Sequence, residues 1–248
     1  MIVDAFTFFN ELDLLELRLI ELSPHVDRFV LAEADKTHAG NPKPMYFSDN
    51  LGRYKEWLPK IVLVEVKLPP LPASGDRWAL ENAHRNAISA GLEGLEGGDT
   101  VLIGDVDELP MLAGWDGREG VFRCQETYYK MNLWAGPVQN GWNGTCAIKA
   151  WRFSSPFGAI RPQDVRNFRD LMQPTWSGGW HFSWTGDAGI KLASFAHTEP
   201  VIAERVAARV HPATGQRLMP FDINGVWYPQ AIRDNRGRFP YLFEVVSG

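Results

Sequence analysis

Two aspartates one residue apart, Asp105 and Asp107, follow directly on the apolar run Thr100, Val101, Leu102, Ile103, Gly104, with Glu108 and Pro110 just beyond. Alternate side chains of an extended chain point to one side, so the spacing predicts that both carboxylates converge on one point. Two carboxylates held together repel each other unless a cation lies between them. A hard divalent ion with oxygen ligands, Mn²⁺ or Mg²⁺, suits that position and can bridge to a diphosphate. The chemistry on offer is the departure of a phosphate-borne leaving group. When a sugar–phosphate bond breaks, negative charge collects on the nucleoside diphosphate, and the ion stabilises it as a Lewis acid while orienting the donor. Asp-x-Asp alone is a common surface pattern. The buried strand that delivers this one is what singles it out, and Glu108 is expected either to assist the metal or to hold the loop.

The elements that must position the pair read as alternating strands and helices. Residues 2–7 predict a strand. Asn10 is placed to cap a helix running to about Ser23, whose apolar face is Leu12, Leu15, Leu19 and Leu22. A strand over 29–32 runs into the polar segment 33–43, and the β-branched run 61–66 is a third strand. Asp76 opens a helix to about Leu92, and the wholly apolar 100–104 has the texture of a strand buried on both faces of a parallel sheet. This order predicts an α/β fold with a mostly parallel central sheet flanked by helices, and a ligand edge at the carboxyl ends of the strands. After Pro110 the texture shifts to Gly, Trp and Tyr, with strands expected at 128–133 and 146–153 and helices at 163–171, 188–194 and 201–210. We read residues 1–248 as one domain, with 1–110 as its nucleotide-sugar half and 111–248 as its acceptor half.

Composition removes several alternatives. A net charge of −5 without a basic tract argues against nucleic acid as a partner. Two cysteines, Cys124 and Cys146, are too few for a disulfide framework and have no metal-ligand spacing. No stretch approaches the roughly 20 apolar residues that span a bilayer. The first residues lack the basic segment of a signal peptide, so the expected location is cytoplasmic. Seven of the ten tryptophans fall between Trp115 and Trp184, and core packing is the first expectation for them, with sugar stacking the second.

Five stretches together resemble glycosyltransferase family 17, the family of the bisecting-GlcNAc transferases. They are residues 4–19 (DAFTFFNELDLLELRL), 29–44 (FVLAEADKTHAGNPKP), 103–110 (IGDVDELP), 180–184 (WHFSW) and 194–199 (SFAHTE). The resemblance implies a GT-A-like fold, a UDP-GlcNAc donor, a divalent metal at the Asp-x-Asp motif and inversion at the anomeric carbon. The N-glycan acceptor of the animal members is not carried over, since no membrane anchor is expected from this sequence and the resemblance is weakest after about Val201. The acceptor class expected is a glycan or glycoconjugate.

An inverting transfer needs a base for the acceptor hydroxyl, and the candidates are Asp107, Glu33, Asp187 and Glu199, with Asp35 beside them. Glu33, Asp35 and Lys36 follow a strand and are candidates for donor contact. Arg77 and Arg85, on a helix face with Asp76, Glu81 and Asn86, are candidates for the donor's phosphates, and Lys43 shares that ambiguity. His181 and His197 are candidates to complete the metal site with Asp105 and Asp107, because neutral imidazole suits Mn²⁺. Trp180 or Trp184 is placed to stack on a sugar. The rival readings are a transferase for another UDP-hexose, a nucleotidyltransferase or phosphohydrolase, and a carbohydrate-binding protein on a degenerate transferase fold. The residues at 6–11 contain no glycine-rich phosphate loop, which counts against nucleotidyl transfer.

Overall fold

The structure is a computed structural model that describes residues 1–136, 141–154, 158–173, 175–196, 199–224 and 226–244. The first half alternates as its hydrophobic pattern dictates: β1 (Ile2–Phe8), α1 (Leu12–Leu22), β2 (Arg28–Ala34), β3 (Ile61–Val66), α2 (Arg77–Ala87) and β4 (Thr100–Asp105). β5 (Glu108–Pro110), β6 (Gly120–Tyr128), β7 (Leu133–Trp134), β8 (Trp142–Lys149), α3 (Pro162–Phe168) and β9 (Thr175–Ser183) follow. The described chain closes with α4 (Ala188–Ser194), α5 (Pro200–Ala207), β10 (Met219–Pro220) and α6 (Gln230–Asn235).

Eight strands form one sheet in the order β3-β2-β1-β4-β8-β6-β9-β5. β3, β2, β1 and β4 are parallel to one another, β8 runs antiparallel between β4 and β6, β9 is parallel to β6, and β5 is antiparallel to β9. The architecture is therefore α/β with a mostly parallel central sheet. Strands from before and after residue 110 lie in that same sheet. β1, β2 and β4 are buried almost throughout, which is why they read as continuous apolar runs. One face packs on α1 and α6 through Phe6, Leu15, Leu19, Phe29, Leu31 and Ile232. The other carries Val3, Ala5, Val30, Val101 and Ile103 against Leu80 and Ile88.

Several local expectations change, among them the strand expected at 146–153, which lies at Trp142–Lys149 and gives way to a 3₁₀ turn at Ala150–Phe153. Asn10 does not cap α1. Glu11 occupies the N-cap and its carboxylate accepts from the backbone N–H of Phe9 and Asn10, so the helix starts one residue later than the cap rule suggests. The strand expected at 128–133 lies earlier, at Gly120–Tyr128, because Tyr129 turns the chain with φ +65°. Asp76 caps α2 as read, accepting from Trp78 N at 3.0 Å, but regular helix ends at Ala87 and a 3₁₀ segment completes the run to Leu92. Among the described residues no helix is long and apolar enough to cross a membrane.

Candidate active site

β4 delivers Asp105 to the carboxyl edge of the sheet, and there the chain turns at Val106 and Asp107 before β5 begins. Alternation therefore fails at this point, and the two carboxylates face different partners. Asp105 Oδ1 lies 2.6 Å from Arg85 Nη1 and accepts from Thr7 Oγ1 at 3.2 Å, while Oδ2 lies 2.8 Å from Arg166 Nη2. Burial pushes its carboxyl up, but Arg166, Arg85 and Arg169 outweigh that and hold it well below the usual carboxylate range. Asp107 instead faces His181 and Lys191, each at 3.8 Å. Its carboxyl is raised, because burial outweighs the attraction of those two groups and Asp105 and Glu11 add repulsion.

The turn is held from beneath by side chains with no exposure. Arg18 of α1 is paired bidentately with Asp4 of β1 at 2.8 and 2.7 Å, and both are 0% exposed. The same guanidinium donates to the carbonyls of Asp105, Val106 and Glu108 at 3.3, 3.4 and 2.5 Å. Glu108 is also 0% exposed; it takes Trp142 Nε1 at 2.7 Å, Arg166 at 2.7 Å and the backbone N–H of Asp105 at 3.2 Å. Glu108 thus holds the loop. Gly104 is required here: a Cβ would lie 2.5 Å from Thr145 Oγ1 and 3.2 Å from Glu108 Oε2.

Above the turn opens a cavity of about 420 Å³. Its floor is Thr7, Phe8 and the acid pair; its walls come from α2, from β6 and β9, and from α4. His181 stacks on Trp142, with ring centroids 4.8 Å apart and planes 24° apart. Its Nδ1 lies 3.3 Å from Glu126 Oε1. Burial lowers the imidazole's affinity for protons, but the Glu126 hydrogen bond and the charges of Asp107 and Glu108 win, so its pKa is raised and the position favours positive charge. Lys191 is 2% exposed and sits 3.1 Å from Glu11 Oε1; burial opposes its charge, and Glu11 and Asp107 restore it, raising its pKa. A second cavity of about 590 Å³ adjoins and shares Glu11 as a wall. The three described non-glycine residues with positive φ all border these cavities: Trp184 (φ 57°) the first, Tyr129 (φ 65°) and Arg209 (φ 53°) the second. Such backbone costs on the order of 1 kcal/mol or more each and persists where the surroundings over-determine it.

Among the described residues no three His, Cys, Asp or Glu side chains form a metal cage. Asp105 is engaged by Arg85, Arg166 and Thr7, and of the four ligands expected from the sequence His197 lies outside the described residues. A smaller donor set fits better. Asp107 Oδ1 and His181 Nε2 face each other at 3.8 Å, and with Glu126 at Nδ1 a cation that displaces the Nε2 proton would take the lone pair freed beside Asp107. A carboxylate behind the imidazole is how metal-bound histidines are commonly oriented. Ions acting on phosphates take one or two protein carboxylates and complete their shell from the phosphates. Asp107 and His181 suit an ion that arrives with a diphosphate.

Other expected residues lie elsewhere. Glu33 is 0% exposed, accepts from the backbone N–H of Phe47 and Ser48 and pairs with Lys43 at 3.4 Å; it braces a loop and borders neither cavity. Asp35 accepts from Leu68 N at 3.0 Å, a strand-end contact. Lys36 borders the main cavity but its Nζ donates to Leu68 O at 2.8 Å. Arg77 donates to Phe195 O at 3.0 Å and does not line the cavity, whereas Arg85 does. Trp180 is 2% exposed and packed on Phe221 and Tyr228, so it has no face for a sugar. Asp187 caps α4 through Ile190 N and borders only the second cavity; Glu199 is exposed at the N-cap of α5 and borders neither. Glu11, Glu126, Trp142, Arg166 and Lys191 were not singled out by sequence pattern. Arg161, Arg166 and Arg169 cluster within nine residues of sequence, which was a usable signal for the arginines.

The profile of glycosyltransferase family 17 matches residues 1–209. The chain is 26% identical over 215 residues to the β-1,4-mannosyl-glycoprotein 4-β-N-acetylglucosaminyltransferase of Rattus norvegicus and 29% identical over 215 residues to that of Mus musculus. Each match covers 74% of this chain and 40% of the relative, so the chain spans two-fifths of the length of these curated relatives. Among solved structures it is similar to an active-site mutant of LgtC (TM-score 0.34, 15% identity, 71% of each chain). It is also similar to galactosyltransferase LgtC in complex with donor and acceptor sugar analogs (TM-score 0.35, 13% identity, 99% of this chain and 97% of that one).

Proposed function

We propose, from the premise that the chain belongs to glycosyltransferase family 17, that it transfers GlcNAc from UDP-GlcNAc to a glycan hydroxyl with inversion, on a GT-A-like fold and with a divalent cation. The observation that carries this reading is the convergence of Asp107, His181 and Lys191 in one cavity at the carboxyl edge of β1 and β4. When bound, Mn²⁺ or Mg²⁺ would be held by Asp107 and His181 and would neutralise the charge that develops on the diphosphate. Arg85 and Lys191 add fixed positive charge at the same place, and Glu126 keeps the His181 imidazole aligned. The acceptor oxygen attacks the anomeric carbon from the face opposite the phosphate. The sugar–phosphate bond breaks with its electron pair leaving on UDP, and the hydroxyl proton passes to a cavity carboxylate, Glu11 or Glu126. The family relatives named as N-acetylglucosaminyltransferases support the choice of sugar.

The test is thermal unfolding of the wild type and Asp107→Asn with UDP-GlcNAc, UDP-Gal and UDP-Glc, each with Mn²⁺ or EDTA, alongside UDP release. Ligands that bind only the folded state raise Tm by mass action. The expected result is a shift largest with UDP-GlcNAc that needs both Mn²⁺ and Asp107. Folded protein that responds to no UDP-sugar refutes the reading.

A further inference from the structure

Two histidines meet at the side of the cavity bordered by α2. His84 Nε2 lies 2.9 Å from the carbonyl oxygen of Ala32, and His84 Nδ1 lies 3.3 Å from His38 Nε2. A carbonyl oxygen only accepts, so His84 carries its proton on Nε2 and offers a lone pair at Nδ1. That lone pair requires the proton of His38 on Nε2, which leaves His38 Nδ1 a bare acceptor. The chain of assignments has one solution because both rings are neutral: burial first, with Arg85 beside His38 and His38 beside His84, pushes them down to about 4 and about 3. His38 Nδ1 is buried without a hydrogen-bond partner. Glu81 Oε2 stands 3.7 Å from it and is also an acceptor. Two acceptors face each other with no hydrogen between them, an arrangement that an incoming N–H donor relieves.

The surroundings specify what kind of donor. Flat apolar surface lines the same region: Trp78 is 45% exposed, and the Phe195 ring lies 6.1 Å from His38 with the planes 32° apart. Glu81 is joined at 3.0 Å to Arg85, and Arg85 reaches Asp105 at 2.6 Å, so this pocket lies on the same helix that leads to the acid turn. A planar ring carrying an N–H, linked to a diphosphate, fits that layout. Uracil presents an N–H at its N3 edge. Cytosine presents a bare nitrogen there, a third acceptor against two.

We infer that His38, held by His84 and the Ala32 carbonyl, reads the imide N–H of the donor's nucleobase and thereby selects uracil over cytosine. The inference rests on the reading of the chain as a UDP-sugar transferase and adds the residue that recognises its base. Glu81 flanks the same N–H, and Trp78 with Phe195 supplies the stacking surface.

Isothermal titration of the full chain with UDP, CDP and GDP in Mn²⁺ tests it, using the wild type, His38→Phe and His38→Asn. The expected wild type binds UDP tighter than CDP by roughly tenfold to a hundredfold, the effect of one buried polar group left unpaired. His38→Phe brings the UDP to CDP ratio close to one, and His38→Asn, whose amide oxygen still accepts, restores part of it. Should His38→Phe fail to fold, an intermediate ratio in His38→Asn supports the inference and a wild-type ratio refutes it. UDP binding with an unchanged ratio in both variants overturns the inference while leaving the transferase reading intact, whereas GDP binding tighter than UDP overturns the UDP-sugar reading along with it. Absence of UDP binding in the folded wild type sinks both.

Discussion

Replacing Arg18 with methionine isolates the clamp under the acid turn. The methionine stem fills much of the arginine's volume but leaves Asp4, 0% exposed, without the cation that meets both of its oxygens. It also removes the donor shared by the carbonyls of Asp105, Val106 and Glu108. Removing one partner of a buried ion pair costs about 3–5 kcal/mol, and the unpaired carbonyls add to that. For a domain of this size each kcal/mol moves Tm by about 2–4 °C, so Arg18→Met is expected to lower Tm by roughly 6–20 °C. Guanidinium denaturation at pH 7 gives the free energy directly. Adding Asp4→Leu tests the cause: the double variant removes the stranded charge and recovers most of the stability, because well-packed apolar residues replace buried pairs at little cost. Donor binding stays weakened in the double variant, since the carbonyl clamp is still missing. If Arg18→Met stays within about 1 kcal/mol of the wild type, the clamp argument is wrong.

Two further expectations follow from the same geometry. Gly104→Ala places a methyl 2.5 Å from Thr145 Oγ1, and overpacking of this kind costs about 1–3 kcal/mol; the proposed Mn²⁺-dependent donor shift in Tm should shrink as well, and an intact shift would show that the turn tolerates displacement. His38 and His84 have folded-state pKa values depressed to about 4 and about 3, below the ordinary 6.5. The unfolded chain therefore binds protons that the folded one refuses, and stability falls as pH drops below about 6.5, by about 1.4 kcal/mol per pH unit for each ring until the folded pKa is reached. Denaturation midpoints at pH 7 and 5 check this, and His38→Phe should flatten the slope.

Much of the fold was legible because its signals are local. β3 and α4 lie where the β-branched run at 61–66 and the pattern at 188–194 predict them, and β4 is the apolar strand that the acid pair requires. What the sequence could not show depended on partners distant in the chain. Nothing at residue 105 announces that Arg166, 61 positions on, pairs with one oxygen of Asp105. Glu33 follows a strand, as a site residue would, but its carboxylate is turned under the backbone of Phe47. Arg18 could have been found. It stands three residues after Leu15 and four before Leu22, a charge on the buried face of a helix, and such a charge is almost always paired.

Trp184, Tyr129 and Arg209, with their left-handed backbones, mark where durability and work pull apart in this protein. An engineer seeking a hardier domain would put glycine at these positions, since glycine adopts that backbone freely. Each such change strips a side chain from a cavity wall. Gains in heat resistance at these three positions are thus the ones that reshape the cavities, and a search for stabilised variants is better directed to positions that border neither cavity.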